Sequence, residues 1–423
     1  MNSKIVASII LLLTLFVALP VNVWSAEKEI SLDELDNSST ILQNLNPLRL
    51  LGKTYDDKAR QTIITGYAVA SYRTNDNGVD HDGVGNELHY GQDPANTSRF
   101  GFDLMEVGFT KRFSDYAWVA AAFEIGQHNE PGGTLDTEIE LDQGEIHLVA
   151  PVGNGLDFAI GKFNSPVSWE HEDAPLLLQA SNSLTFQFAS PIKMTGVMAT
   201  YPILENLEVR GAVYEGWDRN TSKKPDNNKA KSLMLQIGYA PTPWLDTKIS
   251  YLIGAEADNN EDDLRKVIDI AATLTPWKDW IIGLEFAFGE EENQSAKSPG
   301  TDGKWYSGQV TVHYDFNRWL GTTLRYSFFD DRDGIPDIQS SQQRTLNEIT
   351  FAPTLHIAPE YLGYMGLGVL PRTQHMLSGI DLRLEYRYDW SNEASTGTYF
   401  FDVTENRTKS SRNTFIAQLV ASF

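Results

Sequence analysis

The sequence predicts an all-β protein: a transmembrane antiparallel up-and-down β-barrel of about 16 strands, with short periplasmic turns and long extracellular loops. Three observations predict it. Apolar residues recur at every second position in segment after segment from Gln61 onward, which is the strand period. The connections fall into two classes: tight turns such as "VGNG" (152–155) and "PWKD" (276–279), and polar loops such as 75–97, 218–231 and 290–303. Trp and Tyr gather at strand ends beside the turns, at Tyr116, Trp118, Trp244, Trp277, Trp280, Trp305, Tyr306, Trp319, Trp390 and Tyr399, as in the interface girdles of a membrane barrel. A soluble β-sandwich or propeller also alternates, but its aromatics scatter through a buried core.

The first element is an address. Lys4 precedes the apolar run 5–19, which Pro20 ends, and Val23 and Ser25 are small enough for the −3 and −1 positions. Residues 1–25 therefore read as a signal peptide cleaved after Ser25. The run approaches the roughly 20 residues a membrane helix needs, and Pro20 with the small residues favours the signal over an anchor. Residues 26–60 form a periplasmic N-terminal extension. Ile41, Leu42 and Leu45 have helix spacing, and Ser31 with Glu34 has the form of a capping box. This piece reads as a short helix resting on the body of the protein, or as a plug or docking segment.

Residues 61–423 form the barrel. In "WIIGLEFAFG", Trp280, Ile282, Leu284, Phe286 and Phe288 share one face, and Gly283, Glu285, Ala287 and Gly289 the other. In "DLRLEYRYDW", Leu382, Leu384, Tyr386, Tyr388 and Trp390 oppose Asp381, Arg383, Glu385, Arg387 and Asp389. Two strands change phase, near Glu106 and near Gln143, which predicts bulges. Segment 360–376 reads as a long periplasmic connection or as a further hairpin. The chain closes on "FIAQLVASF", with Phe415, Leu419 and Phe423 on one greasy face. This ending resembles the C-terminal assembly signal of bacterial outer-membrane proteins, in which the last strand pairs with the first and removes the open edge that lipid would not tolerate.

Composition excludes several functions. The 423 residues carry 57 acidic and 34 basic side chains, a net charge of −23, and no cysteine. That rules out disulfides, thiolate metal sites, thiol nucleophiles and covalent c-type haem, and it argues against a nucleic-acid partner. Mean hydropathy is −0.32, too polar for a helical membrane bundle and compatible with a barrel.

"GYAVASY", "GKFNSPVSWEHEDAP", "SPIKMTGVMATYPI" and "LRLEYRYDWSN" resemble the OmpL-like β-barrel porin family over most of residues 48–423. The resemblance implies an outer-membrane barrel of a Gram-negative bacterium with porin activity, and supplies no substrate. The related porin O/P group favours anions through stacked basic residues, and no such ladder is visible here. Lumen-face candidates are mixed in sign: Glu124, Glu208, Arg210, Lys248, Arg265, Asp269, Glu285, Arg325, Arg383, Glu385 and Arg387.

Three constellations could carry chemistry. In "WEHEDAP", Glu170, His171, Glu172 and Asp173 sit between two strands. Folded into the lumen, Glu170, Glu172 and Asp173 would line a constriction and attract cations; otherwise they belong to a wet surface loop. In "DDRDGIPD", Asp331, Asp333 and Asp337 flank Gly334 as oxygen ligands flank the glycine of calcium loops, without the late bidentate Glu of an EF-hand; ordinary Asp/Gly turn chemistry accounts for the same pattern. No serine forms a convincing nucleophile with His147, His313 or His356, so no enzyme and no cofactor is expected. The expected function is a weakly cation-preferring porin for small hydrophilic solutes or ions. Its partners would be outer-membrane lipids, the barrel-assembly machinery and, left open, further copies of itself. The alternative is a structural sheath for a periplasmic secretion or electron-transfer component.

Overall fold

The computed structural model describes residues 62–75, 98–129, 135–218, 225–335, 344–357, 379–391, 400–402 and 407–422. Residues 1–25 and 26–60, segment 360–376 and Phe423 lie outside them. The strands in chain order are β1 (Thr62–Asn75), β2 (Ser98–Ser114), β3 (Ala117–Asn129), β4 (Leu135–Ala150), β5 (Leu156–Asn164), β6 (Lys193–Leu204), β7 (Leu207–Tyr214), β8 (Ser232–Thr242) and β9 (Leu245–Ala255). They continue as β10 (Leu264–Leu274), β11 (Trp280–Glu291), β12 (Gly303–Asn317), β13 (Leu320–Asp331), β14 (Arg344–His356), β15 (Gly379–Ser391), β16 (Phe400–Asp402), β17 (Arg407–Lys409) and β18 (Ser411–Ser422). Each barrel strand pairs antiparallel with its neighbours, and 16 of them close the sheet, while β16 and β17 form a separate hairpin.

Closure joins β1 to β18, with Tyr67 opposite Ser422 and Thr74 opposite Phe415. Phe415 and Leu419 face outward, 39% and 41% exposed, and Ile416, Gln418 and Val420 are buried toward the lumen. Alternation in β11 and β15 follows the pattern of the sequence, with Glu285, Arg383, Glu385 and Arg387 inside. The two phase changes are bulges. In one, the register of β2 against β1 skips Asp103; in the other, the register of β4 against β3 skips Asp142. β14 and β15 pair directly, so the barrel closes without a strand from segment 360–376.

The aromatic girdle needs correction at two positions. Tyr116, Trp244, Trp277 and Trp319 are exposed on the outer wall, but Trp118 and Trp305 are buried inside. Trp118 stacks on the His147 ring with centroids 4.2 Å apart. Trp305 fills the space that Gly289 leaves open, where a Cβ would overlap its ring. Both aromatics belong to the lumen phase of their strands, and proximity to a turn did not reveal that phase.

Candidate functional site

Among the described residues, the loop 165–192 between β5 and β6 folds into the lumen and spans it. A buried loop lacks ladder partners for its backbone, so each polar group needs another partner. The barrel wall supplies them. Lys248 of β9 donates to the carbonyls of Pro166 (2.9 Å) and Ser168. The Trp169 indole donates to Thr273 Oγ1 of β10 at 2.9 Å, and its ring occupies the place of a Cβ at Gly283, so β11 tolerates only glycine there without displacement.

Glu170 turns toward the far wall. Its carboxylate lies 2.8 Å from the Arg325 guanidinium of β13 and accepts the Ser183 amide at 2.7 Å. Glu172 meets Lys193 at the start of β6, which also binds Asp142 at 2.5 Å. Asp173 accepts from Asn164 at 3.4 Å and from the Tyr67 hydroxyl at 3.5 Å. A short 3-10 turn, Ala174–Leu176, follows, with Pro175 in its first turn. Ala174 and Leu177 pack on Tyr67, Val69, Leu104 and Val420, which fastens this limb to β1, β2 and β18.

The third limb is a polar clasp. Glu385 of β15 accepts from the Ala180 amide (2.8 Å), the Ser181 amide (3.1 Å) and the Ser181 hydroxyl (2.6 Å). Arg325 donates to the carbonyls of Ser181 (2.6 Å) and Asn182 (3.0 Å), and Arg387 donates to the latter at 2.7 Å. Arg383 holds the carbonyls of Ala174 and Gln179. Helix α1 (Leu184–Ala189) follows, with Ser183 as N-cap accepting the Phe186 amide at 3.1 Å. It stops at Ser190, which precedes Pro191 and is therefore pushed out of helical geometry. Phe163, Val167, Leu184, Met194, Trp305 and Phe329 belong to one apolar cluster around it.

The wall charges are sorted by side. Arg325, Arg383, Arg387 and Arg412 stand on β13, β15 and β18, paired or interleaved with Glu348, Glu385 and Asp389. On β2–β4, on the other side of β1 from β18, Glu106, Glu124 and Asp142 bring carboxylate oxygens within 4.8 Å of one another. Glu140 lies 3.6 Å from Lys162. The sequence reading saw mixed signs and no basic ladder; the fold gathers four arginines with their acidic partners on β13–β15 and β18 and a carboxylate group on β2–β4, while Arg210 of β7 and Arg265 of β10 pair with Glu208 and Glu291.

Electrostatics in the loop follow its packing. Burial, with Asp142 alongside, pushes the Asp173 carboxyl up to about 7. Burial and the nearby Lys248 ammonium hold the His171 imidazole down at about 4. Asp331 and Asp333 lie elsewhere. The Asp331 carboxylate accepts the amides of Gly334 and Ile335, and Asp333 accepts the Lys304 amide, the geometry of a turn; Asp337 lies outside the described residues. Sequence reasoning missed Lys193, Glu348, Arg412, Asp142 and the clasp residues Ser181 and Asn182. Strand alternation marks the first four as inward-facing or edge positions, and "SNS" before "LTFQFA" marks a helix cap, but no local signal shows which of them meet.

The family model described as "Putative beta-barrel porin-2, OmpL-like" matches residues 57–423. The chain belongs to this porin family. Among solved structures, the porin resembles the outer membrane channel DcaP of Acinetobacter baumannii, with TM-score 0.55 and 11% identity over 87% of this chain and 99% of that one. It also resembles an anion-selective porin from Comamonas acidovorans, with TM-score 0.54 and 10% identity over 86% and 100% of the chains. The trimer form of OmpT from Vibrio cholerae gives TM-score 0.51 and 10% identity over 86% and 100%. No curated protein sequence matches this chain. The porin is an outer-membrane channel of a Gram-negative bacterium, and its family and fold are those of a non-enzymatic channel.

Proposed function

We propose that this porin passes small hydrophilic solutes and ions past the loop 165–192, with a weak preference for cations. The observation that supports the preference is the excess of carboxylates on one side of the loop. Glu106, Glu124, Glu140, Asp142, Glu172 and Asp173 gather there around Lys162 and Lys193. On β13–β15 the arginines pair with Glu170, Glu348 and Asp389. Charges in a narrow lumen with low-dielectric walls act strongly on passing ions, whereas those in outer loops are screened beyond about 8 Å at physiological salt. The trimer form of OmpT supports a homo-oligomeric channel.

Planar-bilayer recording of the purified protein in a potassium chloride gradient tests the reading. The expected result is stepwise conductance with a reversal potential displaced modestly toward that of potassium. A reversal potential on the chloride side overturns the cation preference, and absence of conductance overturns the pore.

A further inference from the structure

Beneath Pro166 and Ser168 lies a row of buried polar side chains on the lumen face of β8–β11. Across β8, β9 and β10, Gln236 opposes Ser250 and Ser250 opposes Asp269, all on the lumen face. Glu285 of β11 opposes Ala271, which makes it the diagonal neighbour of Asp269 on that face. Pro166 and Ser168 roof this row: the Pro166 carbonyl accepts from Gln236 Nε2 at 2.8 Å, and both carbonyls accept from Lys248.

Five side-chain oxygens of the row and its roof are buried and meet no hydrogen-bond partner from outside this group: Oδ1 and Oδ2 of Asp269, Oε1 of Glu285, Oε1 of Gln236 and Oγ of Ser168. Asp269 is 0% exposed. Gln309 Nε2 donates to the other oxygen of Glu285 at 2.6 Å, and the Ser168 hydroxyl lies within hydrogen-bond reach of Glu285. The charged groups acting on Asp269 are Glu285 and Lys248, and the Lys248 ammonium is directed to the loop carbonyls. The Asp269 and Glu285 carboxyls lie within hydrogen-bond reach of each other, and two buried carboxyl groups so close need either a shared proton or a cation between them.

We propose that Asp269, Glu285, Gln236 and Ser168 form a site for a hard, oxygen-seeking cation that ties the loop to β8–β11. The donor set is oxygen alone, with two carboxylates, an amide carbonyl and a hydroxyl, which is the ligand class of calcium and similar ions and not of zinc or copper. Ser168 belongs to the loop and the other three to the wall, so a bound ion bridges the two. This inference does not rest on the selectivity of the pore.

Terbium luminescence of the full-length protein in detergent tests it, because Trp169 is adjacent to Ser168 and serves as the sensitiser. Tryptophan-excited terbium emission is expected to saturate, to be displaced by calcium or, at higher concentration, by sodium, and to disappear in Asp269→Asn. Displacement by calcium at far lower concentration than sodium identifies a divalent site; equal potency identifies a monovalent one. In Trp169→Phe the emission is expected to be lost while calcium still slows proteolysis of the loop. Absence of saturable, displaceable emission in the wild type overturns the site and leaves the two carboxylates sharing a proton. Unchanged emission in Asp269→Asn overturns it as well. Should that variant fail to reach the folded, heat-modifiable form, Ser168→Ala takes its place, with weakened terbium binding expected and unchanged binding fatal to the proposal.

Discussion

Glu385 and Ser181 stand 204 residues apart in the chain, yet the Glu385 carboxylate receives both the Ser181 amide and its hydroxyl, at 3.1 and 2.6 Å. With the Ala180 amide it accepts three hydrogen bonds from the loop in a fully buried position. Hydrogen bonds to a charged group contribute about 1.5–3 kcal/mol each. Glu385→Ala is therefore expected to release the third limb while the barrel still closes through its backbone ladders. Limited proteolysis of folded protein reads this directly as new cleavage within 165–192. A loop as resistant as wild type would show that the clasp does not hold it.

Selectivity should separate the three loop carboxylates. Glu170 is neutralised by Arg325 at 2.8 Å, whereas Glu172 and Asp173 join the carboxylate-rich side. Glu172→Gln with Asp173→Asn is expected to shift the reversal potential toward chloride, and Glu170→Gln to leave it near the wild-type value. The opposite ranking would place the selective charge on the arginine wall.

The pH dependence follows from Asp173, whose carboxyl is pushed up to about 7. It faces Tyr67 of β1, Glu106 of β2, Asp142 of β4, Asn164 of β5, Lys193 of β6 and its neighbour Glu172. A raised carboxyl takes up its proton as pH falls through 7, so cation preference should weaken between pH 8 and pH 6. Asp173→Asn should flatten that change. His171, held down at about 4, stays neutral throughout this window, and His171→Gln should leave the profile in place.

Gly283 gives a steric test. A Cβ at this position would overlap the Trp169 ring. Gly283→Val is expected to displace the ring and change single-channel conductance, and Trp169→Phe in the same chain to restore part of the wild-type value. Wild-type conductance in Gly283→Val would mean that the loop adapts without moving.

The closing strand gives a test of assembly. Phe415 and Leu419 face outward on β18, and Ser422 pairs with both Tyr67 and Gly379. Deleting Phe423 or replacing it by Asp is expected to leave the protein in the periplasm. Fractionation showing normal outer-membrane levels would remove the assembly role assigned to this terminus.

The barrel was legible from the sequence because its determinants are local. A strand between water and lipid must alternate with a period of two, and each hairpin carries its own turn signal, so β11, β15 and β18 could be read from single segments. The bulges at Asp103 and Asp142 announced themselves as breaks in the same local period. Inward-facing Arg325, Arg383, Glu385 and Arg387 were visible one strand at a time. What met them was not, because Glu170 reaches Arg325 across 155 residues, and no periodicity connects a loop to the wall it crosses. The inward fold of 165–192 and the pairing of its groups with the wall were decided by tertiary structure alone. Closing the sheet brings strands distant in sequence around one narrow space, and there each buried charge must find its partner.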